Sequence, residues 1–139
     1  MALLKPVIGV TIGDINGIGA EIILKTFHDT RLFEFCTPVI YANAKLLSNN
    51  RKSMNLPPFN FNLVKEDFKL SYNAINVVNV WEEELIPAFG TANPSWGKYA
   101  YQSIDRAMND FLAGKIQTIV TAPINKRTIH SETFPFKGH

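Results

Sequence analysis

Hydrophobic positions in this chain fall into short β-branched runs separated by amphipathic stretches, and that alternation predicts the order of its elements. Val7-Ile8-Gly9-Val10-Thr11-Ile12 is almost uninterruptedly apolar, the pattern of a strand covered on both faces in a parallel sheet. A Gly-rich turn, Gly13 to Gly19, follows it. Ile18, Ile22, Ile23 and Phe27 then recur at helical spacing, with Asn16 as the expected N-cap. Strand, turn and helix in this order open a βαβ unit. Thr37 to Tyr41 reads as a second strand. Ala44 to Leu47 begins a short helix expected to fail near Ser48-Asn49-Asn50, and Pro57-Pro58 marks a loop over 51–60. Phe61 to Val64 and Ala74 to Val80 read as two further strands, the second apolar except at Asn76 and Asn79, and Glu82-Glu83-Glu84 reads as a solvated segment.

Ala88 to Pro94 contains Gly90 and reads as a crossover. From Ser95 a strong helix is predicted. Tyr101, Ile104, Met108, Phe111 and Leu112 share one face, expected to pack into the core, and Gly114 is its stop. Ile116 to Val120 reads as another buried strand. Strands alternating with helices give an α/β fold, with a largely parallel sheet flanked by helices.

Composition narrows the function classes. Hydrophobic residues at 46% and charged residues at 19% describe a globular chain rather than a disordered one. Fourteen basic and twelve acidic residues, for a net charge of +2, are too evenly balanced for a nucleic-acid or membrane surface. Cys36 is the single cysteine, so neither an internal disulfide nor a cysteine-based zinc site can form. The N-terminal residues lack the apolar stretch of a signal peptide, no apolar run is long enough to span a membrane, and a cytoplasmic location is expected.

Candidate chemistry lies in two segments. The turn Gly13-Asp14-Ile15-Asn16-Gly17-Ile18-Gly19 has neither the dinucleotide-fingerprint spacing nor the Gly-Lys-Ser/Thr ending of a P-loop. Its glycines still let backbone approach a ligand closely, and the helix that follows offers free N–H groups to an anion. Asp14 suits a ribose hydroxyl or a metal-bound water. The alternative is a tight strand-to-helix turn in which Asp14 is a local cap. The second segment, Thr121-Ala122-Pro123-Ile124-Asn125-Lys126, leaves the carboxyl end of a predicted strand, where ligands of open α/β sheets gather. Asn125 and Lys126 pair an amide with an ammonium, a combination suited to phosphate or carboxylate, or else they are exposed polar residues at a strand exit. His139, after Gly138, can hydrogen-bond a substrate or move a proton. His28 and His130 read as structural and surface residues. The three histidines lack metal-ligand spacing, so no complete metal site is expected in this chain.

Three ordered blocks resemble the 4-hydroxythreonine-4-phosphate dehydrogenase family of pyridoxal phosphate biosynthesis. They are Thr11 to Ile22, Gly90 with Ser95-Trp96-Gly97, and Val120 to Lys126 followed by Phe136-Lys137-Gly138-His139. The first is close to the family's Gly-Asp-Pro-Ala-Gly-Ile-Gly-Pro-Glu opening, with Ile15 and Asn16 in place of Pro-Ala and Ala20 in place of Pro. The resemblance implies an isocitrate/isopropylmalate-dehydrogenase-like fold, incomplete here, with one domain over 1–89 and the start of a second over 90–139. It implies a homodimer that uses NAD and a divalent metal (zinc, magnesium or cobalt). The implied reaction oxidises the secondary alcohol of 4-phosphohydroxy-L-threonine, with decarboxylation to 3-amino-2-oxopropyl phosphate. The family's metal-binding histidines come later in the sequence, from two subunits. His139 is the position that carries over, as a substrate contact; Lys126 and Asn125 are expected beside it, and Gly13, Asp14, Gly17 and Gly19 at the cofactor. The chain is thus expected to be the N-terminal part of a longer enzyme and inactive alone. Three alternatives remain: a dehydrogenase of a related four-carbon sugar-acid phosphate, or a non-catalytic phosphate- or nucleotide-binding α/β module. A purely structural role for the turn and Lys126 is the third.

Overall fold

The computed structural model describes residues 5–130. Strands β1 (Val7–Thr11), β2 (Thr37–Ala42), β3 (Phe61–Leu63), β4 (Ile75–Asn79) and β5 (Thr118–Thr121) form one sheet in the order β3-β4-β2-β1-β5. Every pairing is parallel. Helix α1 (Gly19–Phe27) joins β1 to β2, α2 (Ala44–Ser53) follows β2, α3 (Gly97–Leu112) precedes β5, and the short α4 (Lys126–Ile129) follows it. No helix among the described residues is long and apolar enough to cross a membrane.

The β-branched runs form strands because both faces of the sheet are covered. On one face Val10, Ile12, Ile23, Ile40, Leu46, Leu47, Ile75 and Val77 form a single cluster with α1 and α2. On the other, Val39, Tyr41 and Val78 meet Ala107 of α3 and Ile116. Val39, Ile40, Tyr41 and Ala42 are wholly buried, as expected for the central strand of a parallel sheet. Asn76 is buried without penalty: its amide donates to Pro38 O and Ser71 O, and its oxygen accepts from Ser71 N and Asn62 Nδ2. α2 runs past its expected end to Ser53, because buried Leu46 and Leu47 anchor it. Asn50 satisfies its own side chain on Leu46 O, and so does not break the helix.

Two expectations fail on the β5 side. Among the described residues β5 pairs with β1 alone, and Val120 is 53% exposed. The apolar stripe expected to pack from α3 into the core also points away from the sheet: Met108, Phe111 and Leu112 are exposed, and Tyr101 and Ile104 are only partly buried, beside Ile129. The face α3 turns to the sheet is Ala100, Ser103, Ala107 and Asp110. Small residues bring the helix close enough for Ser103 Oγ to accept from Ile12 N (3.0 Å) and donate to Tyr41 O (2.6 Å). Residues on both sides of position 90 share this core, since α3 and β5 pack on β1 and β2.

Tyr41 crosses that core and donates to Asp110 Oδ2 at 2.8 Å. Burial, and then the hydrogen bond to and negative charge of Asp110, push its hydroxyl well above the usual tyrosine range. Because the folded value lies above the unfolded one, this contribution is fully present below about pH 10 and is lost as pH rises toward the folded value. Urea midpoints measured from pH 8 to 11.5 are expected to be flat at first. Above about pH 10 stability then falls by up to about 1.4 kcal/mol per pH unit, a slope that Tyr41→Phe reduces. An unchanged slope in Tyr41→Phe would show that this hydroxyl does not govern alkaline unfolding.

Candidate functional site

From β1 the chain passes to β2, then to the outer β3 and back to β4 between them, and returns to the opposite side of β1 as β5. The sheet therefore has a topological switch point between β1 and β5, and the crevice beyond the strands' carboxyl ends is the ligand position of such folds. Thr11 and Thr121 are register partners, so the Gly-rich turn and the Thr121–Lys126 segment leave the sheet side by side.

Their contact is direct. Asp14 N donates to Pro123 O at 2.8 Å. Gly13 has φ +74°, and a β-carbon there would overlap the Pro123 carbonyl. A β-carbon on Gly19 would overlap Ile12 O. Gly13 and Gly19 are thus buried packing positions that close the turn onto β1 and β5. Gly17 is different: it is half-exposed, its nearest neighbours belong to Asp14, and it lines an open cleft of about 320 Å³. Asp14 is half-buried; Oδ1 accepts from Asn16 N (3.2 Å), and its carbonyl accepts from Gly17 N (3.0 Å). It therefore braces the turn while staying reachable from solvent.

Asn16 does not cap α1. Ile18 occupies the N-cap and no side chain closes the helix start. Asn16 instead turns inward to 2% exposure, where Oδ1 accepts from Ala88 N at 2.9 Å and its carbonyl from Gly90 N at 3.0 Å. The uncapped first turn of α1 faces the rim with a partial positive charge and no side-chain acceptor of its own.

On the β5 side, Asn125 caps α4: its Oδ1 accepts from Arg127 N (3.0 Å), and its carbonyl accepts from Thr128 N. That oxygen is committed to the backbone. Lys126 and Arg127 are exposed, and neither forms an ion pair among the described residues. α4 is held by the start of α3, where a β-carbon on Gly97 would overlap the Thr128 carbonyl. Ile129 packs against Ala100, and Ile124, Tyr101 and Ile104 surround the pair. Glycine at 97 thus lets the helix start and the segment carrying Lys126 touch backbone to backbone. His139 lies outside the described residues.

The structure therefore brings Gly13, Asp14, Gly17 and Gly19 to the same rim as Asn125 and Lys126. Sequence reading did not anticipate Arg127, the inward role of Asn16, or Phe89 and Gly90 as walls of the cleft. Only Asn16 carried a signal, as a departure from the alanine in the family pattern. Among the described residues no three His, Cys, Asp or Glu side chains converge as a metal site. Exposed His28 and His130 carry no such role there.

The model of the pyridoxal phosphate biosynthetic protein PdxA matches residues 34–139. The 4-hydroxythreonine-4-phosphate dehydrogenase of Bacteroides thetaiotaomicron is 45% identical over 132 residues, which are 95% of this chain and 36% of that protein. A protein of Oceanobacillus iheyensis named "Putative D-threonate 4-phosphate dehydrogenase" is 30% identical over 138 residues, 97% of this chain and 41% of its own. The crystal structure of a 4-hydroxythreonine-4-phosphate dehydrogenase from Burkholderia phymatum superposes with a TM-score of 0.85 at 29% identity, covering 99% of this chain and 42% of that one. The chain thus spans about two fifths of the length of these relatives. The sheet order and the switch point are the corresponding part of the isocitrate/isopropylmalate-dehydrogenase-like fold. On the family match and the shared fold, the chain belongs to the PdxA family of pyridoxal phosphate biosynthetic proteins.

Proposed function

We propose that the protein carrying this chain is an NAD- and divalent-metal-dependent dehydrogenase. It oxidises the secondary alcohol of 4-phosphohydroxy-L-threonine, and decarboxylation then gives 3-amino-2-oxopropyl phosphate. The observation behind this reading is the joining of the Gly-rich turn to the Thr121–Lys126 segment at the switch point, through Asp14 N and Pro123 O. NAD supplies a hydride acceptor when bound. The residues of this chain bind and orient. The exposed Lys126 ammonium, with Arg127 beside it, draws the phosphorylated end of the substrate to the rim. The uncapped start of α1 offers N–H groups to the anionic part of the cofactor. Asp14, held by its turn, is placed to accept from a ligand hydroxyl. His139 completes the substrate contacts.

The donor set described here does not fit a divalent metal by itself, so no step is routed through one. The metal's ligands belong to further sequence, and the enzyme works as a homodimer in the cytoplasm. A second reading, oxidation of a four-carbon sugar-acid phosphate, is favoured by the name of the 30% identical relative. Both substrates place a phosphate at Lys126. Full-length protein should reduce NAD with 4-phosphohydroxy-L-threonine and a divalent metal. Turnover with D-threonate 4-phosphate alone would select the second reading, and inertness toward both would refute the dehydrogenase assignment.

A further inference from the structure

Among the described residues, three strand pairings close alike at the carboxyl ends of the strands. Val64 N donates to Val77 O, Val80 N to Ala42 O, and Ala122 N to Thr11 O, each from the residue just past its strand. Between β1 and β2, where Thr11 stands opposite Tyr41, the same pattern calls for a bond from Ile12 N to Tyr41 O. Ile12 N donates instead to Ser103 Oγ (3.0 Å), and that hydroxyl donates on to Tyr41 O (2.6 Å). A hydroxyl from a helix thus stands between two strands of the sheet. Ser103 is wholly buried, and its donor and an acceptor lone pair are both in use. The pairing parts where the Gly-rich turn begins, so the end of β1 is held off β2 and bonded to β5.

The same helix touches the other half of the rim. Gly97 meets the Thr128 carbonyl backbone to backbone, and Thr128 lies in α4, just past Lys126. Gly97 and Ser103 are about 9 Å apart along the axis of α3. One contact of α3 is therefore on the strand end that launches the turn, and the other is on the element that carries Lys126. A helix holds such a spacing more closely than a loop does. Packing alone does not require the hydroxyl. An alanine at 103 would suit the close helix–sheet contact as Ala100 and Ala107 do, and would let Ile12 N close directly on Tyr41 O.

We propose that Ser103 is a positioning residue for the reaction: acting through Ile12, it sets the spacing between the Gly-rich turn and the Lys126 segment. This rests on the dehydrogenase reading above. Hydride transfer needs its reacting carbons near contact distance, and a misplacement of about 1 Å far from the chemistry costs on the order of a hundred-fold in rate.

The test uses the full-length enzyme with NAD, a divalent metal and 4-phosphohydroxy-L-threonine in single-turnover stopped flow. The rate constant of NADH formation reports hydride transfer, and the amplitude reports the active fraction. Ser103→Ala should lower the rate constant by roughly ten- to a hundred-fold at unchanged amplitude. Its crystal structure should show Ile12 N on Tyr41 O, with the Gly-rich turn displaced toward β2. Ser103→Cys keeps the volume but hydrogen-bonds weakly. It should slow the same step, and it serves where the alanine variant fails to fold. Ala107→Gly, which loosens α3 away from Ile12, should lower the unfolding midpoint and leave the rate constant alone. A loss of amplitude alone in the Ser103 variants, or an equal slowing in Ala107→Gly, would overturn the proposal and make the hydroxyl a stabilising contact only. Wild-type rate constants in both Ser103 variants would overturn it too, and leave the dehydrogenase reading standing. Wild-type protein that forms no NADH with either phosphorylated substrate would remove that reading, and this role with it.

Discussion

Gly13→Ala is expected to destabilise the protein by roughly 2–4 kcal/mol and to abolish turnover at ordinary substrate concentrations. Two costs combine. An alanine at φ +74° sits in the left-handed region that a β-carbon disfavours. The added methyl would also overlap the Pro123 carbonyl, which belongs to backbone and cannot swing aside. Relief requires the turn and the β5 exit to part, which breaks the Asp14 N to Pro123 O hydrogen bond. Stability and site geometry should therefore fail together. Chemical denaturation, with NAD binding measured on the fraction that remains folded, separates the two effects. A variant that is stable and binds NAD normally would show that this backbone contact is dispensable.

Lys126→Met in the full-length enzyme is expected to lower kcat/KM for the phosphorylated substrate by about a hundred-fold, the scale of a lost charge-assisted contact to phosphate. Folding should be untouched, because Lys126 is exposed and its hydrogen-bonded role in α4 is made by its backbone: His130 N donates to Lys126 O. The KM for NAD should also stay the same. Lys126→Arg should retain much of the activity, since Arg can also bind a phosphate. A Met variant with normal kcat/KM would return Lys126 to the role of a solvated residue at the strand exit.

How much of this could be read in advance depended on the kind of signal. Strands β1, β2 and β4 announce themselves because both their faces are buried, leaving β-branched runs with nowhere polar to point. Helix α3 misleads for the opposite reason. Its close approach to the sheet demands Ala100, Ala107 and Ser103, while Met108, Phe111 and Leu112 take the outer face. A helix with large apolar residues on one side and small ones on the other does not declare which side is covered. At the site, the glycine spacing marked the right turn but not the division of labour within it. Gly13 answers to an overlap with Pro123, far away in sequence, and Gly19 to one with Ile12 across the turn, and only the fold shows that Gly17 is the open one. Asn16 reads as a helix cap because Asn before an apolar-periodic run caps helices in general. Its partners, Ala88 and Gly90, are more than seventy residues away, beyond the reach of local pattern.

The central claim is that the switch-point rim forms one anion-holding surface from two separate segments. The most direct measurement is a titration of isotopically labelled full-length protein with inorganic phosphate, and then with NAD, followed by backbone amide NMR. Amides of Gly17 to Glu21 and those of Asn125 to Arg127 are predicted to shift in the same titrations. Shifts confined to one segment, or found only at residues remote from both, would contradict the claim.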